Sequence, residues 1–133
     1  MGKYHDLLQN VLGVFGEPAW TAKNIKTVPS NYVGLVNNSE YIRVSVIPSG
    51  QGINLVSSSG LLIIDIFVKF GTGPGNLSLI ADSLDEFLVG KTIESPTGNT
   101  QFLKSAYSEL GVDSDNKTLY RAKYEIPFNH FGK

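Results

Sequence analysis

Residues 61–70, Leu-Leu-Ile-Ile-Asp-Ile-Phe-Val-Lys-Phe, constrain this chain more than any other stretch. Successive side chains of a strand point to opposite faces. Leu62, Ile64, Ile66, Val68 and Phe70 therefore share one face, and Leu61, Ile63 and Phe67 share the other. A strand apolar on both faces is central and must be covered on both sides, by its own chain or by a partner. With Asp65 and Lys69 inside it, the run is too short and too charged to span a bilayer.

The candidates for that cover are two amphipathic helices. Leu7, Leu8, Val11, Leu12 and Phe15 recur at helical spacing, and Gly16 followed by Pro18 stops the run. The second and clearer helix follows the glycine-rich break at 71–75. Its stripe is Leu77, Ile80, Ala81, Leu84, Phe87 and Leu88, with Asn76 as the N-cap, Asp82, Asp85 and Glu86 on the polar side and Gly90 at the stop.

Partner strands are also legible. Residues 41–47 alternate, with Ile42, Val44 and Val46 on one face and Tyr41, Arg43 and Ser45 on the other. Pro48, Ser49, Gly50, Gln51 and Gly52 read as a turn, and a strand restarts near Ile53 with an interruption at residues 57–60. Two further strands are predicted near 101–110 and 118–128, joined as a hairpin through Gly111 and the Asp113-Ser114-Asp115-Asn116 cluster. In the second, Tyr120, Ala122, Tyr124, Ile126 and Phe128 oppose Arg121, Lys123 and Glu125, and the tail beyond Asn129 reads as loose. Residues 17–40 form a long connection with a short strand at 25–28; a loop of that length is usually functional or mobile. The order helix, strands, helix, strands predicts an α+β domain, a mainly antiparallel sheet with two helices packed on one face, spanning 1–133 as one unit.

Composition narrows the function classes. The chain has 133 residues, 41% hydrophobic and 17% charged, which suits one globular domain able to bury roughly two-thirds of its unfolded surface. Its net charge of −1 supplies no general footprint for nucleic acid. With no cysteine, thiolate chemistry and disulfides are excluded, and a reducing birthplace fits. The first residues lack the apolar core of a secretory signal, and Asp6 stands where myristoylation would want Ser or Thr. A soluble protein is expected.

Apparent catalytic motifs dissolve on inspection. Gly90-Lys91-Thr92 looks like the end of a phosphate loop, but Asp85 stands where the first glycine should be and the segment closes a helix. The glycines at 71, 73 and 75 lack a following lysine, and Pro74 removes an amide donor. His5 and His130 lie near opposite ends, in segments expected to be exposed, without ligand partners at metal-binding spacing. Asp82, Asp85 and Glu86 read most simply as a solvated helix face. No enzyme, cofactor or metal is indicated.

Three segments carry a resemblance: Pro18-Ala19-Trp20; the strand Tyr41-Ile42-Arg43-Val44-Ser45-Val46; and Gly60-Leu61-Leu62-Ile63-Ile64-Asp65-Ile66-Phe67 with Gly71-Thr72-Gly73, Ala81-Asp82-Ser83-Leu84, Phe87 and Gly90-Lys91. In this order, and with the closing strand at 120–128, the chain resembles the tail-terminator proteins of bacteriophages, the tail-completion family of lambda-like siphophages.

That resemblance implies a structural role in the virion, at the head-proximal end of the tail, after assembly in the host cytoplasm. Such proteins close a finished tail tube as a homohexameric ring and present a surface for head joining. The implied partners are further copies of the chain, the tail tube protein and a head-completion or connector protein, with no membrane and no specific nucleic acid. Leu61, Ile63 and Phe67 become candidates for the subunit interface, since ring contacts join unlike patches and close by symmetry. Trp20 and Tyr32 are candidates for a partner-facing loop, the alternative for Trp20 being a ring folded over its own core. Competing readings are another head–tail connector or minor tail protein and, from a different class, a small intracellular enzyme or ligand-binding domain.

Overall fold

The computed structural model describes residues 3–23, 25, 27–29, 41–51, 58–69, 71, 75–96, 98–112 and 119–132. Their elements run α1 (Lys3–Gly16), α2 (Pro18–Thr21), β1 (Thr27–Pro29), β2 (Tyr41–Gln51), β3 (Ser58–Lys69), α3 (Gly75–Leu88), β4 (Thr92–Ser95), β5 (Gly98–Phe102), β6 (Ala106–Val112) and β7 (Leu119–Gly132). The fold is α+β.

The sheet order is β1-β2-β3-β7-β5-β4, with β6 also on β7. β3 lies at its heart, paired antiparallel to β2 on one side and to β7 along its whole length on the other. Its even-numbered residues, Leu62, Ile64, Ile66 and Val68, are fully buried. In the core they meet Ile42 and Val44 of β2, Ala122, Tyr124, Ile126 and Phe128 of β7, and Phe102 of β5. Each such side chain contributes about 1.5–3 kcal/mol by leaving water.

The sheet is mixed rather than mainly antiparallel, because β1 joins β2 in parallel. Nor do two helices simply lie across one face. There are three among the described residues: α1 meets β5, β4 and β7, α3 meets β3, and the short α2 packs on α1. Glu17 is extended between α1 and α2, and Pro18 occupies the first turn of α2, where a missing amide hydrogen costs nothing. The stop read at Gly16 and Pro18 is thus a corner between two helices. In α1 the buried stripe is Leu7, Val11, Val14 and Phe15; Leu8 turns outward.

Several boundaries differ from the sequence expectation. β2 continues through the supposed turn to Gln51, with a register shift between Pro48 and Gly50. A bulge tolerates a residue that cannot donate to the ladder, which keeps Pro48 inside the strand. Ser58, Ser59 and Gly60 belong to β3 rather than interrupting it. α3 already includes Gly75, so Asn76 lies within the first turn and not at the cap. The predicted tip at 113–116, the break at 72–74 and most of the 17–40 connection lie outside the described residues.

The strand expected at 101–110 is two strands, β5 and β6, end to end along one edge of β7. Phe102 pairs with Phe128 and Ala106 with Glu125, so one extra residue is accommodated opposite 126–127. Pro127 sits there. It has no amide to offer a neighbouring strand, and its carbonyl accepts from Leu103 N at 3.0 Å. β7 itself runs on to Gly132, so the segment after Asn129 is strand and not a loose tail.

Candidate functional site

The side of the sheet away from the core carries the odd-numbered residues of β2, β3 and β7, and their registers set them in rows. Tyr41, Phe67 and Arg121 form one row, Arg43, Asp65 and Lys123 the next, then Ser45, Ile63 and Glu125, and finally Ile47, Leu61 and Pro127. The face is polar in the middle and apolar at both ends.

The two apolar ends differ in kind. At the first, Phe67 and Tyr41 stack with centroids 4.5 Å apart and planes 17° from parallel. Val28 and Leu119 complete a small second core with them. Two guanidinium groups close it from above: Arg43 lies 5.7 Å and Arg121 5.9 Å from the Phe67 ring, a favourable placement of cations on an aromatic quadrupole. Arg121 is held there by Asp65, whose Oδ1 accepts from Nη2 at 2.7 Å and from Nε at 3.3 Å. Phe67 is consequently 3% exposed. At the other end Leu61, Ile63 and Pro127 are half-buried and Ile47 is 44% exposed.

The sequence candidates therefore separate. Leu61 and Ile63 lie in a partly open apolar strip, whereas Phe67 is closed within the subunit by its own neighbours. Trp20, a candidate for a partner-facing loop, is 1% exposed. It stands edge-on between Phe15 and Phe87, both centroids at 5.2 Å, and its indole Nε1 donates to Thr27 Oγ1 at 3.0 Å. The short helix α2 turns it inward, and it belongs to the core. Tyr32 lies outside the described residues. Ile47 and Pro127 were not singled out from sequence; the β2–β3–β7 register is the signal that joins them to Leu61.

Two polar constellations bear on how the helices are held. Asn10 of α1 is buried and donates from Nδ2 to Thr100 Oγ1 at 3.1 Å and to the Gly98 carbonyl at 3.4 Å. Thr100 Oγ1 is hydrogen-bonded in turn to His130 Nδ1 at 2.8 Å. His130 is fully buried, contrary to its reading as an exposed terminal residue, and it continues the inward alternation of Tyr124, Ile126 and Phe128 by one more step. Asp85, on the exposed side of α3, accepts from both Ser105 Oγ and Tyr124 Oη at 2.6 Å. Burial of Tyr124, and secondly its bond to Asp85, push its phenol well above the ordinary tyrosine range. Asp82 and Glu86 are solvated as expected, and His5 is exposed. Gly90, at φ +70°, takes the left-handed turn that follows α3.

No family model matches the chain, and no curated protein matches it. Its architecture is similar to a solved structure with a TM-score of 0.62 and 11% identity, over 88% of this chain and 84% of that one. At that identity the likeness is one of fold alone.

Proposed function

We propose that this chain is a structural virion protein, a tail terminator that caps the tail tube as a homohexameric ring, stops tube growth and offers a surface for head joining. The observation that carries the reading is the half-open apolar strip of Ile47, Leu61, Ile63 and Pro127 on the central strands, beside a charged row that can register a neighbour. In this reading the helices lie on the core side of the sheet and the strip is turned to an adjacent subunit. The ordered motifs shared with tail terminators support it from the sequence. The role needs interface geometry and no chemistry, so the subunit contacts are the functional site.

Two measurements test it together. Size-exclusion chromatography with light scattering on the purified chain should give the mass of six protomers, with or without tail tube protein present. Electron microscopy of polymerising tail tubes should show tubes of limited length, with a ring at one end, when the chain is added. Tubes of unchanged length and no ring reject the proposal. A ring that binds the head connector and leaves tube growth unaffected moves the chain to the connector class.

A further inference from the structure

We infer that the outward side of α3 is the other half of a head-to-tail contact and docks on the outer sheet face of a second copy of this chain. The inference rests on the ring reading above and names the surface that fills the open strip.

α3 turns Leu77, Ala81, Leu84 and Leu88 into the core. Leu79, Asp82 and Glu86, spaced by three and four residues, lie together on its outward side. At 65% Leu79 is the most exposed large hydrophobic side chain among the described residues. A lone exposed leucine needs no explanation. This one stands beside a charge pattern that is the inverse of the sheet face. On α3, Asp82 and Glu86 face outward, with Lys23 near Glu86 at 3.5 Å, while Asp85 lies on the flank and is turned to Ser105 and Tyr124. On the sheet, Arg121 is paired with Asp65 and Lys123 with Glu125, and Arg43 and Lys69 leave the face with an excess of positive charge. One surface is an apolar knob with excess negative charge, and the other an apolar strip with excess positive charge. Complementary potentials of that kind set partner and register.

Geometry agrees with the chemistry. α3 and the even-numbered residues of β3 face the same core, so the outward side of α3 and the odd-numbered side of β3 lie on opposite surfaces of the subunit. A contact between unlike patches repeats from copy to copy, as a ring where the rotation between copies closes and as an open filament where it does not. Edge-to-edge pairing of sheets is the less suitable route. Among the described residues, β1 carries Pro29, β4 at the other end of the sheet is a short strand of 4 residues, and the edge of β6 is bulged between Glu109 and Gly111, where Gly111 takes φ +99°. Prolines and bulges are devices that keep edges from pairing.

The test uses the full chain with Leu79→Asp and Ile47→Asp, each at an exposed position, so circular dichroism should report native folding for both. Ile63→Asp replaces Ile47→Asp if the latter does not fold. Each variant alone should be monomeric by light scattering. Mixed in equal amounts they should form a one-to-one dimer, because the Ile47→Asp chain keeps its helix surface and the Leu79→Asp chain keeps its sheet surface. Leu79→Asp that assembles like the unmodified chain overturns the inference and leaves the ring reading standing. Two monomeric variants whose mixture stays monomeric also overturn it, in favour of a like-to-like contact. An unmodified chain that stays monomeric, with and without tube protein, overturns the ring reading and this inference together.

Discussion

The phenol of Tyr124 donates a 2.6 Å hydrogen bond to Asp85 Oδ1, tying the middle of β7 to the flank of α3. Tyr124 is 1% exposed, so its hydroxyl reaches the solvated edge of the core from below. Asp85 also takes the Ser105 hydroxyl at the break between β5 and β6. One carboxylate thus joins a helix, the longest strand and a strand junction.

That relationship sets the alkaline stability. Tyr124 ionises at higher pH in the folded chain than in the unfolded one, first because it is buried and then because it donates to Asp85. A raised folded value means its contribution is whole below about pH 10, the unfolded value, and is lost as pH rises beyond it. Urea midpoints should therefore fall above about pH 10, and Tyr124→Phe should flatten the decline. At neutral pH the same change should cost about 1 kcal/mol, since water can replace the phenol at exposed Asp85. Equal alkaline slopes for the two proteins would refute the assignment.

Thr100 is the pivot of a buried polar chain from Asn10 to His130. Thr100→Val keeps the shape and removes the hydroxyl, leaving the Asn10 amide short of an acceptor. The loss should be about 1–3 kcal/mol in urea unfolding. Thr100→Ser, which restores the hydroxyl, should recover most of it. Because Asn10 is the polar anchor of α1 on β5, hydrogen exchange in α1 should rise more than in α3.

Trp20 is the sole tryptophan and a convenient reporter. Packed edge-on by Phe15 and Phe87, it should emit at short wavelength in the folded chain and resist iodide quenching before any partner is added. Trp20→Ala should destabilise by about 3–5 kcal/mol. Free access of iodide to the native indole would return it to a partner-facing role.

Phe67 should behave as a core residue despite lying on the outer face. Phe67→Asp removes the ring stacked on Tyr41 and sets a carboxylate against Val28 and Leu119, and the expected outcome by circular dichroism is loss of the native fold. Leu79→Asp should leave the spectrum unchanged. A folded Phe67→Asp monomer would show that the small second core contributes little.

Periodicity alone determined the parts of this protein in which one face is buried against one neighbour. The inward alternation of β3 and β7 and the stripe of α3 were legible because each repeats a fixed period over many residues. β4, with Thr92 and Glu94 exposed on a strand of four residues, repeats nothing long enough to detect. Tertiary structure decided the rest. Whether Phe67 was bare or covered depended on Tyr41, Leu119 and two arginines brought to it by register across three strands. Whether Trp20 faced in or out depended on the angle at which α2 leaves α1. His130 seemed terminal and exposed until β5 came alongside β7 and placed Thr100 against it. A side chain's period is local, but what covers it is set by strands distant in sequence.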